Sequence, residues 1–207
     1  ALRMLGLFLV LPEFVLQAHT DPGGDDPFLV GLAMGVYGLT QALLQVPFGI
    51  ASDRLGRKPV IQAGLALFVV GSLIAAWAPS MVWLVIGRAL QGSGAISAAV
   101  TALLADLTRD EVRTKSMALV GISIALMFAL SLVLAPLLVP LIGLAGLFAL
   151  TAVLAAIGMA VVAWVVPPEP PVQHAQNRGG LREVLADVEL LRVDLGVFVL
   201  HAVQIAM

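Results

Sequence analysis

Cysteine is absent from the chain, and histidine occurs three times in 207 residues. That excludes disulfides, thiolate metal sites and cysteine nucleophiles, and three scattered histidines make no metal-ligating cluster. Charge is also scarce. Asp, Glu, Lys and Arg make up 12% of the residues, against about 25% in an ordinary soluble domain. The formal net charge is -2, so no basic face exists to meet phosphates, and nucleic acid is excluded as a partner. Neither a His-Glu-x-x-His pair, nor a Ser/His dyad, nor a phosphate-cradling Gly-rich loop occurs. An enzyme or an ATP-driven machine therefore has no foothold in the sequence, and no motif asks for a cofactor.

What the chain has in abundance is apolar surface. Hydrophobic residues make up 60% of it, and the mean hydropathy is +1.05. Such a chain cannot cover itself with polar groups, so the lipid bilayer must be part of its solvent. Six segments have the roughly 20 apolar residues that a spanning helix needs. They lie at about 2–18, 29–51, 60–78, 82–104, 116–139 and 144–166, with a seventh beginning at 194 and running to 207. Spanning strands would alternate over about ten residues, whereas these runs are continuous. The expected fold is an all-α membrane protein.

Basic residues mark one side. Arg3 precedes the first segment. Arg54, Arg57 and Lys58 lie between the second and third, Arg109, Arg113 and Lys115 between the fourth and fifth, and Arg178, Arg182 and Arg192 beyond the sixth. The connections at 19–28, 79–81 and 140–143 contain none. By the positive-inside rule the basic side, with the N-terminus, is cytoplasmic. The remaining basic residue, Arg88, sits inside the fourth segment. The chain opens at Ala1 just before an apolar run and stops at Met207 within another, which reads as a piece of a longer protein. A signal peptide over 1–19 is the rival reading, against which stand a single basic residue and the interruption by Glu13.

The connection at 167–193 opens with Pro167-Pro168-Glu169-Pro170-Pro171, which stops the sixth helix and gives an extended spacer. Leu181, Val184, Leu185, Val188 and Leu191 then recur at helical spacing among Arg182, Glu183, Asp187, Glu189 and Arg192. This predicts an amphipathic helix lying along the membrane surface. A linker of this kind suits a boundary between two six-helix halves.

Between the second and third segments the chain reads Gly49-Ile50-Ala51-Ser52-Asp53-Arg54-Leu55-Gly56-Arg57-Lys58-Pro59. Gly49 permits close helix approach, Gly56 a tight turn, and Pro59 suits a first helical turn. Asp53, at the end of a helix, gains nothing from that helix's dipole and needs a donor such as Arg57. Arg57 and Lys58 want an acidic partner, for which Asp106 is a candidate. A solvated basic loop is the plain alternative.

Ionisable groups within membrane helices are costly and suggest function. Glu13 and Arg88 each lie about six residues from the expected outer end of their helices, roughly 9 Å deep. A Glu13–Arg88 pair could exchange a proton; a static pair, or a Glu13 that meets water, is equally open. Polar residues recur at helical spacing elsewhere: Tyr37, Gln41 and Gln45 on one face, Ser123, Met127 and Ser131 on another, with Gln17 a turn from Glu13, Gln91 near Arg88, and His201 and Gln204 in the seventh segment. Such stripes contact a substrate or bond neighbouring helices. Gly31 and Gly35, and Gly92, Gly94, Ala95, Ala98 and Ala99, predict tight helix packing.

Gly49-x-x-x-Asp53-Arg54-x-Gly56-Arg57-Lys58 between a second and third membrane helix resembles the signature loop of the major facilitator superfamily. Arg88-Ala89-Leu90-Gln91-Gly92 resembles that superfamily's Arg-x-x-Gln-Gly motif, and Leu5-Gly6 followed by Pro12 is similar to the first-helix motif of its drug–proton antiporter branch. The resemblance covers essentially the whole chain. It implies a twelve-helix fold of which this is the N-terminal six-helix bundle, built from inverted 3+3 repeats, plus the start of helix seven. It implies a small-molecule substrate, a proton gradient in place of a cofactor, a C-terminal six-helix half as partner, and the inner membrane of a bacterium. Asp53, Arg57 and Asp106 would form a charge relay that latches the cytoplasmic side. One departure stands against the antiporter branch: its Gly-Pro motif in helix five is replaced by Ala135-Pro136. A symporter, a uniporter or a non-transporting sensor on the same fold is the alternative.

Overall fold

The computed structural model describes residues 2–18, 26–167, 187–193, 195–196 and 199, with backbone alone for 11–13 and 15–18. They divide into two units, Ala1–Val172 and Gln173–Met207. In the first unit lie α1 (Leu2–Ala18), α2 (Pro27–Leu55), α3 (Arg57–Ala76), α4 (Met81–Ser93), α5 (Ser97–Leu107) and α6 (Asp110–Trp164). No strand occurs among the described residues. α2, α3, the α4–α5 run and α6 are each long and apolar enough to cross a membrane. The chain is a multi-pass membrane protein, because only helices satisfy their own backbone groups in lipid without closing a barrel.

Local chemistry sets the helix starts. Asp26 caps α2, its carboxylate accepting from the Phe28 amide at 2.9 Å, and Pro27 follows where its missing N–H costs nothing. α6 begins with Asp110 and Glu111 in its first turn, favourable against the positive end of the helix dipole.

Two helices differ from expectation. The fourth, expected as one helix over 82–104, is broken between Ser93 and Ser97. The break lays Gly94 against α3: a side chain there would meet the Gly64 carbonyl oxygen at 2.3 Å. The fifth and sixth, expected as 116–139 and 144–166, form one run from Asp110 to Trp164 interrupted at Gly143, which has φ 65°. With its ψ of -177° that value suits glycine alone, so the expected connection at 140–143 shrinks to a kink.

Contacts are heaviest between α1 and α6, α3 and α6, α3 and α4, and α2 and α4. Helices of the first three spans thus pack chiefly on helices of the last three. Side chains fill three layers. At one end Leu9, Val10, Phe14, Met81, Leu84, Leu147 and Phe148 form the largest apolar cluster. At the other, Ile61, Leu65, Ile96, Ala99 and Leu103 form a second, with Met159, Val162 and Val166 against it. Between them lie Leu7, Tyr37, Phe68 and Ala155. The three tryptophans stand exposed at helix ends: Trp77 and Trp83 at the α3–α4 turn and Trp164 at the end of α6. Membrane–water interfaces favour this placement.

Glycine contacts separate true seams from apparent ones. An added Cβ at Gly71 would meet the Gly87 carbonyl oxygen at 2.7 Å, and one at Gly87 would meet the Gly71 carbonyl oxygen and the Ala75 amide nitrogen at 2.8 Å each. At Gly92 it would meet the Tyr37 carbonyl oxygen at 2.2 Å. These backbones touch, as expected for Gly92 and Gly94. The expected pair Gly31 and Gly35 does not pack in this unit: nothing lies within 4 Å of either, because both point away from it. Gly49 is not a close approach either, since its Cβ would stand 3.8 Å from that of Ala98, an ordinary contact.

In the second unit, Asp187 accepts from the amides of Glu189 at 3.0 Å and Leu190 at 3.2 Å and so caps helical residues 188–193. Most of the expected spacer and the first turns of the amphipathic stretch, residues 168–186, lie outside the described residues, as do His201 and Gln204.

Gly87→Ala is expected to destabilise the bundle by roughly 1–3 kcal/mol, because the added methyl meets rigid backbone. Gly31→Ala is expected to leave stability unchanged or raise it. Thermal melts of the two purified variants, side by side, check both; matching melts would show that these contacts do not hold the α3–α4 seam.

Candidate functional site

At the turn between α2 and α3, Gly56 is both the C-cap of one helix and the N-cap of the next, at φ 98° and ψ 154°. Only glycine takes that conformation without strain. The sharp turn aims Arg57 back at the last turn of α2. Its Nη1 donates to the Ser52 hydroxyl at 2.9 Å and also contacts the Asp53 carboxylate. Its Nε donates to Asp106 Oδ2 at 3.1 Å, reaching the end of α5. Ser52, fully buried, donates its own hydrogen bond to the Gly49 carbonyl at 2.8 Å. One guanidinium therefore joins three helices. The structure brings together Asp53, Arg57 and Asp106; Arg54 stands exposed beside them.

Lys58 turns away from these acids. Its Nζ donates to the Val166 carbonyl at 2.7 Å, a cation at the negative end of α6. One turn on, Gln62 Nε2 donates to the Met159 carbonyl at 3.0 Å, so two α3 side chains fasten the last part of α6. Across the α5–α6 turn, Arg113 pairs with Asp110 at 2.7 Å and donates to the Ala105 carbonyl at 3.3 Å. Asp53 and Asp106 retain 46% and 43% side-chain exposure, and ion pairs so exposed contribute about 0–1 kcal/mol. Their effect is to fix relative helix positions rather than to hold the fold.

A second polar group lies in the middle layer. Arg88 is 2% exposed. Its Nε donates to the Ala33 carbonyl at 3.3 Å, its Nη1 donates to Gln91 Oε1 at 3.1 Å, and its guanidinium lies 4.8 Å from the centre of the Tyr37 ring. Gln91 in turn donates to the Ser72 hydroxyl at 2.7 Å. Arg3 joins from α1: Nη2 donates to the Tyr37 hydroxyl at 3.0 Å, and the group lies 4.8 Å from the centre of the Phe68 ring. Phe68 is about 17 Å along α3 from Arg57, near mid-helix. Arg3 is thus no flanking charge. It is 7% exposed and packs at the level of Phe68, which removes it from the basic side. Arg54, Arg57, Lys58, Arg109, Arg113, Lys115, Arg178, Arg182 and Arg192 still carry that asymmetry.

Several expected cavity residues are placed elsewhere. Tyr37, Gln91 and Ser131 are buried within the bundle, so none presents a free wall. Ser131 and Ser123 bond their own helix, donating to the carbonyls of Phe128 at 2.6 Å and Leu119 at 2.7 Å. Ser123, Met127, Gln41 and Gln45 are half-buried, and the Oε1 atoms of Gln41 and Gln45 are buried without a partner. The side chains of Glu13 and Gln17 lie outside the described residues; the described contacts of Arg88 include no carboxylate. Sequence reasoning missed Arg3, Ser72 and Thr151. Thr151 is fully buried and donates to the Gly6 carbonyl at 3.0 Å, bonding α6 to α1. A lone polar residue in an apolar run was the available signal. No group of metal-ligating side chains occurs among the described residues.

A family model described as Major Facilitator Superfamily matches residues 1–206. The chain is 48% identical over 207 residues to the inner membrane transport protein YajR of Escherichia coli K12, covering 97% of this chain and 45% of that protein. It is 41% identical over 205 residues to the uncharacterized transporter BU466 of Buchnera aphidicola, covering 97% and 52%. The crystal structure of the human organic anion transporter MFSD10 (TETRAN) superposes with a TM-score of 0.71 at 24% identity, over 87% of this chain and 49% of that one. The chain spans about half the length of the curated relatives it matches.

Gly56→Ala is expected to cost roughly 1–3 kcal/mol, the strain of a positive φ without glycine. A thermal melt measures it; an unshifted melt would show that the turn relaxes and does not constrain Arg57.

Proposed function

The chain belongs to the Major Facilitator Superfamily, and on that premise we propose that it is the N-terminal half of a twelve-helix secondary transporter. The transporter exports small molecules across a bacterial inner membrane by alternating access, in exchange for protons. The basic connections face the cytoplasm, and the second six-helix half covers part of the apolar surface, including Leu126, Val133 and Leu137 of α6, which stand exposed here.

The observation that supports this reading best is the Arg57 junction. A guanidinium held by half-exposed carboxylates from α2 and α5, in pairs worth little to stability, suits a latch that must open. In the proposed cycle Asp53, Arg57 and Asp106 hold the cytoplasmic side closed while the cavity faces outward, and part when it faces inward. Gly49, Arg54, Gly56 and Lys58 shape the loop that carries the latch. Glu13 is the proposed proton carrier, tuned by Arg88. Of the polar stripes, Gln41, Gln45, Ser123 and Met127 are the proposed substrate contacts in this half, with Gln17 and His201.

The test uses the full-length protein in inverted membrane vesicles with an inward-acidic gradient. Lipophilic cations or small metabolites are expected to dissipate it, and Glu13→Gln is expected to abolish dissipation. Full coupling in that variant would end the role of Glu13. Folded protein that responds to no compound would end the antiport reading in favour of a symporter, a uniporter or a sensor. Arg57→Gln is expected to abolish transport while changing stability by less than about 1 kcal/mol; a variant that transports normally would remove the latch.

A further inference from the structure

The middle layer has more positive charge than it has acceptors. Arg3 and Arg88 engage the same residue, Tyr37: one through the hydroxyl, the other across the ring. The two guanidinium groups are therefore close neighbours in the interior of a membrane bundle. Each carries about five N–H donors, yet between them they make three hydrogen bonds, to the Tyr37 hydroxyl, the Ala33 carbonyl and Gln91. All three acceptors are neutral. The Nε of Arg3 is buried with no acceptor among the described residues. Neither group meets a carboxylate among the described residues. Aromatic faces, Phe68 beneath Arg3 and Tyr37 beneath Arg88, attract the cations but leave their charge uncancelled.

We propose that this layer is a binding site for a small monovalent inorganic anion, chloride or a halide like it, held between Arg3 and Arg88 beside Tyr37. A single negative ion there would satisfy Arg3 Nε and offset both neighbouring charges at once, which no neutral acceptor does. The class follows from enclosure. Arg88 is 2% exposed, Arg3 7% and Tyr37 8%, with the apolar clusters on either side, so the enclosure favours a compact ion over the carboxylate of a larger molecule, which would bring its body along. The site is separate from the Arg57 junction and shares Arg88 with the proposed proton pathway, but its test is a melt and needs no transport. Tyr37 is a positioning residue for it, orienting Arg3 through its hydroxyl.

The experiment is a thermal melt of the purified full-length protein in detergent, in sodium chloride and bromide against sodium gluconate at equal ionic strength. Chloride and bromide are expected to raise the melting temperature along a saturating curve. Arg3→Gln and Arg88→Gln are expected to abolish that increment, whatever they do to the melt in gluconate. Tyr37→Phe is expected to shift the curve to higher halide concentration. Bromide-soaked crystals are expected to give an anomalous peak in contact with Arg3 Nε. Equal wild-type melts in chloride and gluconate would overturn the proposal without any variant. So would a halide increment that survives both arginine substitutions, or an anomalous map whose bromide peaks all lie elsewhere.

Discussion

An arginine at the centre of a bilayer costs roughly 2.5–3.5 kcal/mol on insertion scales, and this bundle holds two around one tyrosine. Everything near Tyr37 is arranged to make that tolerable. Gly92 lets the backbone of α4 touch that of α2 beneath the ring. Gln91 and Ser72 carry a hydrogen-bond chain from Arg88 into α3. Gly71 and Gly87 bring α3 and α4 close enough for that chain to close. The apolar clusters at either end enclose the layer. The glycine seams, the polar chain and the layered core are consequences of where two charges sit.

Two polar systems divide the work. The middle layer is enclosed and joins α1, α2, α3 and α4. The Arg57 junction is partly exposed, through its two carboxylates, and joins α2, α3 and α5. The first cannot rearrange without exposing charge to lipid, whereas the second can exchange protein partners for water at little cost. A bundle that moves as a body while its end contacts make and break would need this division. Lys58 and Gln62 extend it, keeping the end of α6 fixed to the helix that carries Arg57.

Much of this was legible in the sequence. Continuous apolar runs give the spans, because lipid leaves the chain no other secondary structure. The loop from Gly49 to Pro59 gives the junction, because a glycine turn flanked by opposite charges has few ways to close. Partners across helices were harder. Arg3 reads as a flanking charge when only its distance from the first apolar run is counted, and its place beside Phe68 depends on how α1 packs. Gly71 and Gly87 lie 16 positions apart with no motif between them. Gly31 and Gly35 show the reverse, a packing motif with nothing packed on it, since spacing cannot say which way a face points. Burial within this unit also reassigns Tyr37, Gln91 and Ser131, which sequence spacing cannot distinguish from residues lining a cavity.

One residue, Gly56, ends α2 and starts α3. Sliding one helix past its neighbour by a single turn needs about 5.4 Å of spare chain, and a one-residue joint supplies less than that. α2 and α3 are therefore denied axial slip relative to each other and left with rotation about a fixed elbow. Any displacement delivered to α2 at its far end arrives at Arg57 as a change of angle.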